Sequence, residues 1–494
     1  MVRVRTLFPA GLALAGLVFL LPVVRAQQAP APTLLLSPAD REAIELAAVE
    51  RLRYIPGEVV VKFREGTTTA TQGRVLSVLR ERPLPERLRW IADRTAVLRM
   101  TSDNNSPAVA ATLAAQPEVE YAHPNWLLRP KQSVPNDAQY SARQWNLAQL
   151  DMPRAWAINT GANITVAVID TGMTSVNTTY AFKTWNGSAI VIDQMEWGIN
   201  PDFASDRIAA GRDFVFWSGP VLDSDGHGTH VAATIAQSTN NTLGYAGVAY
   251  SAKVMPLKAC LSFWDVQITR SEQGINGYAP LDAGGCPTSA VVAAIRYAAD
   301  NGAKVINLSL GGFNASQSFL DALNYAVGKG VFVAMSAGND FEDGNPTTYP
   351  AAYGPQVAGA MTVGAVGRSS RKAYYSTTGT FVEIAAPGGD SRDGGSNGVV
   401  WQWGIQYSDY NPAIIIFPRF DRFTDTGLQG TSMASPHVAA LGALLMSQGI
   451  TSPAAVEALI TRTASDLGTA GKDNEFGAGL IRPREALRGF GIVR

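Results

Sequence analysis

Gly430-Thr431-Ser432-Met433-Ala434-Ser435-Pro436-His437 runs without a break into Val438-Ala439-Ala440-Leu441-Gly442-Ala443-Leu444-Leu445-Met446. A glycine opens the stretch, small polar residues follow, and the rest is a helix-length run of Ala, Leu and Gly. Thr431 or Ser432 suits a helix N-terminus, where a side-chain oxygen satisfies amides that lack an intrahelical partner. Pro436 breaks a helix interior and is expected in the first turn. Residues as small as Ala434, Ala439, Ala440, Gly442 and Ala443 let such a helix lie close against a sheet. A serine hydroxyl at this N-terminus sits in positive potential, which suits a nucleophile. A plain Ser/Thr cap accounts for the same residues, so the stretch alone does not choose.

Upstream of it, short apolar runs alternate with helical patterns. Strands are expected at Ile164–Asp170, Ala252–Ala259, Lys304–Leu310, Val331–Ala337 and Met361–Gly367. Helices are expected at His227–Gln237, Ser289–Asn301, Ser316–Gly328, Thr431–Gln448 and Ala454–Ala464. Strands apolar on both faces and separated by helices imply a mostly parallel, doubly wound α/β sheet, with chemistry at the strands' carboxyl ends. Asp170 and Asn339 stand at such ends. Gly388–Asp425 reads as a long surface insertion.

Three further polar stretches ask for a common explanation. Asp170-Thr171-Gly172 ends a strand in a sharp turn, where a lone Asp is ordinarily a turn former. Asp225-Gly226-His227-Gly228-Thr229-His230 places two of the chain's four histidines at a helix start. HxxH without the HExxH glutamate and without a third ligand nearby is a weak zinc signal. Ser336-Ala337-Gly338-Asn339-Asp340 leaves a strand end with a carboxamide donor. A Ser, a His and an Asp on separate turns, with an amide donor, meet the needs of acyl transfer: a nucleophile, its base, an orienter for the base and donors for the oxyanion.

The motifs VAVIDTG, HGTHVAATIA, SLGG, SAGN and GTSMASPHVAA resemble the subtilisin-like serine protease (subtilase) family over about Pro135 to Arg488, in that family's order of Asp, His and Ser. The resemblance implies Asp170 as orienter, His227 as general base and acid, Ser432 as nucleophile and Asn339 as an oxyanion donor beside the Ser432 amide. It makes His230 and His437 structural and calls for no catalytic cofactor. It implies an edge segment, Ser309, Leu310, Gly311 and Gly312, that pairs with extended substrate. Ser336, Ala337 and Gly338 line the primary pocket, with Thr348 where many subtilisins carry Gly. Asp340, Glu342 and Asp343 are expected to make the rim negative and to favour basic or polar P1 residues within a broad endopeptidase activity. Asn240–Tyr245 resembles the family's calcium loop, with the Asn241 side chain and the Leu243 and Tyr245 carbonyls as ligands of a structural calcium. The acidic ligand expected soon after the Asp motif is not evident in MTSVNTTY.

The N-terminal part fits the same history. Arg3 and Arg5, the apolar run Leu7–Val24 and Val24-Arg25-Ala26 read as an export signal cleaved after Ala26, residues 1–26. Pro9, Pro22 and the missing stop-transfer charges argue against a lasting membrane span, so the product is expected to be extracellular, by way of the periplasm in a Gram-negative cell. Residues 27–134 read as a propeptide with a small α+β core at about 54–130. Helices are expected at Pro38–Leu52, Arg74–Arg80 and Ala108–Ala115, and strands at Pro56–Gly66, Thr95–Met100 and Val119–Pro130. PGEVVVKF and VEYAHPNW resemble the start and end of a subtilase propeptide, a ferredoxin-like intramolecular inhibitor. Lys131–Tyr140 reads as an exposed joint open to cutting, and residues 135–494 as the peptidase domain.

Composition agrees: 494 residues, 46% hydrophobic, net charge -1. Such a chain has room for a large core and offers no basic surface for nucleic acid or anionic membrane. The expected partners are protein or peptide substrates and the chain's own propeptide, with the protein a monomer. The two cysteines, Cys260 and Cys286, are expected as a disulfide in an exported protein, with two free thiols as the alternative. A subtilase-fold pseudoenzyme that binds without turnover is the alternative function, against which stands the complete Asp, His, Ser and Asn set.

Overall fold

The structure is a computed structural model that describes residues 38–49, 52–79, 88–100, 105–127, 134–216, 219–280, 282–406 and 419–489. The export segment lies outside these residues. The chain divides into two compact units, residues 1–131 and 132–494.

The first unit starts with helix α1 (Pro38–Val49). Then come β1 (Tyr54–Phe63), α2 (Thr69–Ser77), β2 (Leu88–Ala92), β3 (Thr95–Arg99), α3 (Ser106–Ala114) and β4 (Val119–Trp126). The strands form an antiparallel sheet in the order β2-β3-β1-β4, the ferredoxin-like arrangement expected. Alternate residues of β1, Val59, Val61 and Phe63, pack against Val75 and Leu76 of α2 and Leu113 of α3. Helix α2 begins five residues before the expected Arg74, because the Thr68 side chain accepts the Thr71 N–H and caps it there. Strand β2 has no counterpart in the sequence reading.

The second unit opens with three short helices, α4 (Tyr140–Arg143), α5 (Trp145–Gln149) and α6 (Met152–Trp156). A βαβ series follows: β5 (Thr165–Asp170), β6 (Thr178–Trp185), β7 (Ile190–Trp197), β8 (Arg212–Asp213), α7 (His227–Ala236), β9 (Lys253–Lys258), α8 (Phe263–Glu272), α9 (Thr288–Asp300), β10 (Val305–Leu308), α10 (Gln317–Gly328), β11 (Phe332–Ser336), β12 (Ala360–Val366) and β13 (Ile384–Pro387). It closes with β14 (Val400–Ile405), β15 (Phe423–Leu428), α11 (Thr431–Ser447), α12 (Pro453–Thr463) and α13 (Pro483–Gly489). Seven strands form one parallel sheet in the order β13-β12-β11-β10-β5-β9-β8.

The period of two along each strand divides the core. Val166, Val168, Phe332 and Ala334 face α7 and α11. Ala167, Ile169, Val333 and Met335 face α9 and α10. The small residues of α11 act as expected: every residue from Met433 to Met446 is buried, and Gly442 lies on the Phe332 ring, where a Cβ would come within 2.6 Å. Among the described residues no helix is long and apolar enough to cross a membrane.

Two antiparallel hairpins decorate the sheet, β6-β7 and β14-β15. The latter lies largely within the 388–425 insertion and it covers α7, where Gln402 Nε2 donates to Thr234 Oγ1 at 3.3 Å. The described part of the 131–140 stretch departs from expectation. From residue 134 it is part of the second unit: the Gln139 N–H donates to the Gly244 carbonyl at 3.0 Å, and Asp137 is buried with its Oδ2 on the Asn240 N–H. Polar composition suggested an exposed joint, but these polar groups are spent on a distant loop. Cys260 and Cys286 are joined, closing a loop that carries α8.

Candidate active site

Asp170 is the last residue of β5 and is buried. The amides of Ala259 and Cys260 donate to its carbonyl at 2.9 and 3.1 Å, and the Thr171 N–H donates to its Oδ1 at 2.7 Å. His227 opens α7, whose N-terminal amides are met by three side chains: Asp223 accepts from the amides of Asp225, Gly226 and Thr229 and from Thr229 Oγ1, Asp225 from the His227 N–H, and Thr171 Oγ1 from the Gly228 N–H. Gly228 lets that turn touch the Asp170 turn, since a Cβ there would sit 2.1 Å from the Gly172 carbonyl oxygen.

These two turns bring His227 Nδ1 to 2.7 Å from Asp170 Oδ1. A carboxylate only accepts, so Nδ1 carries a proton, and in the neutral imidazole Nε2 is left as the acceptor. Desolvation lowers the imidazole pKa, but the charge and hydrogen bond of Asp170, with Asp225 and Asp223 behind it, override this and carry it up to about 9.

Ser432 lies in the first turn of α11 after Gly430, whose φ of 154° and ψ of 160° belong to a region open essentially to glycine. Thr431 and Ser435 are buried, with Ser435 Oγ on Asn307 Oδ1 at 2.8 Å, so Ser432 alone of the three hydroxyls reaches the surface. Pro436 sits beyond the first turn, contrary to expectation. It cannot donate to the Ser432 carbonyl, and Ser309 Oγ does so instead at 2.8 Å. The Ser432 hydroxyl in turn donates to the Ser309 carbonyl at 3.3 Å rather than to His227.

Asn339 follows β11. Its Oδ1 accepts from the Thr431 N–H at 2.8 Å and from Thr431 Oγ1 at 2.9 Å. An amide N–H can only donate, so the carboxamide's orientation is set, and its NH₂ is left to the cleft that Asn339 and Ser432 both line.

That cleft encloses about 210 Å³ and is lined by Leu310, Gly311, Gly312, Phe313, Ser336, Gly338, Asn339, Asp340, Thr348, Thr431 and Ser432. Gly312 closes an antiparallel bridge with Tyr349 at its edge. Thr348 is buried; its hydroxyl donates to the Ala337 carbonyl and its methyl stands where a Gly338 Cβ would reach it at 2.7 Å. Of the expected pocket residues, Ser336 and Gly338 line the cleft, whereas Ala337 is fully buried behind it. In the expected edge segment the Ser309 side chain is turned to Ser432 and Asn307. The acidic rim is also weaker than expected, because Arg392 holds Glu342 through two bonds of 2.6 and 2.8 Å.

His230 and His437 are fully buried and kept neutral, burial lowering them to about 3 and about 4. His437 bridges the Met433 carbonyl and the Asn146 side chain within α11's packing.

The loop 240–245 gathers the carboxylates that the sequence reading missed. Asn241 Nδ2 donates to Asp202 Oδ1 at 2.6 Å, and the Tyr245 N–H to Asp202 Oδ2 at 3.0 Å. Asp137 Oδ1 is buried with no hydrogen-bond partner. Burial raises Asp202 to about 6, opposed by the Asn241 and Tyr245 hydrogen bonds and reinforced by the charge of Asp137. Two buried carboxylates, one with an orphaned oxygen, beside neutral oxygens fit a hard cation. Among the described residues there is no cluster of three or more His, Cys, Asp or Glu. Asp202 escaped detection because the β6-β7 hairpin separates it from the Asp170 motif; its signal was Asn200-Pro201-Asp202 after that hairpin.

A parallel sheet with an aspartate at a strand end, a histidine at one helix start and a serine at another, beside a carboxamide, is the architecture of the subtilisin-like α/β fold. The chain belongs to the subtilase family, whose pattern matches residues 161–479, and residues 40–125 match the fervidolysin N-terminal prodomain. A thermophilic serine proteinase of Bacillus sp. (strain AK1) is 32% identical over 403 residues, covering 81% of this chain and 80% of that protein. Thermitase of Thermoactinomyces vulgaris is 32% identical over 340 residues, 68% of this chain and 94% of its own. The crystal structure of fervidolysin from Fervidobacterium pennivorans superposes with a TM-score of 0.51 at 25% identity, covering 88% of this chain and 61% of that one. The protein is therefore a serine protease made with a propeptide.

Proposed function

We propose that the protein is a secreted, self-processing serine endopeptidase acting through Ser432, His227, Asp170 and Asn339. The 2.7 Å bond between His227 and Asp170 carries this reading. In the reaction the Ser432 hydroxyl leaves the Ser309 carbonyl and gives its proton to His227 Nε2 as Oγ attacks the scissile carbonyl. The oxyanion is met by the Asn339 NH₂ and by the Ser432 N–H, an amide without an intrahelical partner. His227 then gives its proton to the leaving amine, and water resolves the acyl-enzyme by the same route in reverse. Asp170 holds the imidazole in its tautomer.

Leu310, Gly311 and Gly312 supply the edge for an extended peptide, and Ser336 and Gly338 the walls of the P1 pocket. Thr348 closes its floor, which favours small and medium P1 side chains over large aromatic ones. The first unit acts as intramolecular inhibitor and is released by a cut upstream of Pro135, since Asn136 and Asp137 are bonded into the 240–242 loop. Residues 1–26 are the export signal, and the mature enzyme is a monomer free of nucleic acid. A calcium ion would be held by the carboxylates of Asp137 and Asp202, the Asn241 side chain and the Leu243 and Tyr245 carbonyls. Its part is structural: it neutralises two buried charges.

Expression of wild type and Ser432→Ala tests the reading. Wild type is expected to shed its N-terminal unit and digest casein, and the variant to stay full length. A folded, uncleaved and inert wild type would refute it.

A further inference from the structure

Lys258 is the last residue of β9 and lies in register with Asp170 of β5. Its side chain is 1% exposed, an uncommon place for an ammonium. Nζ donates to the Thr171 carbonyl at 2.8 Å and pairs with Asp265 Oδ2 at 2.8 Å. Asp265 is fully buried on α8, in the loop that Cys260–Cys286 closes; its Oδ2 also accepts the Ser262 N–H at 2.8 Å, and its Oδ1 has no partner.

Thr171 is where this network meets the candidate catalytic pair. Its N–H fixes the Asp170 carboxylate, on the same Oδ1 that receives His227 Nδ1. Its Oγ1 accepts the Gly228 N–H at 2.9 Å and donates to Asp223 at 3.1 Å. The peptide ahead of it is held by the amides of Ala259 and Cys260, so Lys258 supplies the remaining hold, on the Thr171 carbonyl.

We propose that Lys258 is a positioning residue for the Asp170–His227 pair: it grips the Thr171 carbonyl so that the Thr171 N–H keeps the Asp170 carboxylate aimed at the imidazole, and the disulfide-closed loop supplies, through Asp265, the counter-charge that keeps Lys258 in place. The inference rests on the catalytic reading above. Desolvation opposes the ammonium, but Asp265, Asp223 and Asp213 hold it in the charged form. The ionisable groups around it are Asp170 in register on β5, Asp213 on β8, Asp265 on α8 and Asp223 in the turn before α7.

Removing Lys258 alone strands a buried Asp265, so the informative variant is Lys258→Met with Asp265→Asn, which deletes both charges and keeps the capping oxygen. The full chain is expressed and matured, folding is checked by circular dichroism, and kcat, KM and the acid limb are measured on a chromogenic peptide. A misaimed orienter costs about 10- to 100-fold in kcat with KM retained. Release of the N-terminal unit slows by a similar factor. The net charge is unchanged, so a loosened Asp170 grip moves the acid limb to lower pH.

A folded double variant with wild-type kcat and an unmoved acid limb overturns the proposal and leaves Lys258 a buried ion pair only. Should the double variant fail to fold, Lys258→Arg is read, which keeps the charge and displaces the donor. A lowered kcat and a shifted acid limb in a stable Arg variant support the proposal, and wild-type values of both overturn it. Ser432→Ala and Asp170→Asn run alongside: their inactivity with unaffected Lys258 variants sinks only this inference, whereas an active Ser432→Ala sinks the catalytic reading itself.

Discussion

Asn339 gives the sharpest test of the catalytic reading, because its two ends do separable work. Oδ1 accepts from Thr431 and so ties α11's first turn to the end of β11, while the NH₂ faces the cleft. Asn339→Leu removes both functions. Losing the oxyanion donor is expected to lower kcat by about 10²–10³, or about 2.7–4 kcal/mol, with KM little changed. Losing the acceptor leaves the Thr431 N–H unmet at a cost of about 1–3 kcal/mol of stability. Asn339→Asp separates the two: its carboxylate still accepts from Thr431, at a helix N-terminus that favours negative charge. Stability is therefore kept, while kcat falls at least as far as in the Leu variant, since an anion now faces the oxyanion. Steady-state kinetics on a chromogenic peptide and thermal melting in a Ser432→Ala background, which prevents autolysis, give the two readouts. A kcat within about threefold of wild type in the Asp variant contradicts the oxyanion role, because even one donor is worth far more.

Four other outcomes follow from the same geometry. The general base must be neutral, so kcat/KM falls as pH drops through the pKa of His227. The midpoint is expected well above the ordinary 6.5, toward about 9, and to move down in Asp225→Asn; a limb at or below 6.5 in wild type would count against the Asp170–His227 bond. Thr348→Gly reopens the pocket floor and is expected to raise kcat/KM for a Phe-P1 peptide relative to an Ala-P1 peptide by about 10- to 200-fold, an unchanged ratio placing the floor elsewhere. Asp202 has a raised folded pKa of about 6, so without a cation the folded state binds more protons than the unfolded one between about pH 4 and 6, and stability falls as pH rises through that window. Calcium is expected to reverse that loss and chelator to restore it, while Asp202→Asn removes both responses; a melting curve blind to chelator at pH 7 speaks against the ion. Reducing Cys260–Cys286 should lower thermal stability by roughly 3–4 kcal/mol in the loop-entropy account, measured by melting with and without reductant.

Much of the fold was legible because its signals are local. The five expected strands of the large sheet appear within two residues at each end, since an apolar run of 4–8 residues between turn signals has few other uses. Weaker local signals failed: α2 starts where Thr68 caps it, and the half-exposed strands of the β6-β7 hairpin mix apolar and polar residues on both faces. Polar composition misled at 131–140, where the polar groups bond to a loop about a hundred residues away.

The amino-acid sequence by itself determined the order of the five central strands and their covering helices, the parallel sheet and the identity of Asp170, His227, Ser432 and Asn339 as the residues to watch. These lie in contiguous motifs whose spacing encodes strand ends and helix starts. The tertiary structure alone decided which hydroxyl reaches the cleft, which way the Asn339 carboxamide faces, that Glu342 is answered by Arg392, and that Asp137, Asp202 and Lys258 are buried. Each of these depends on partners that the chain brings together from afar, such as Ser432 with Ser309 across 123 positions or Asn339 with Thr431 across 92. Hydrogen-bond direction and burial are set by those pairings, and no local pattern records them.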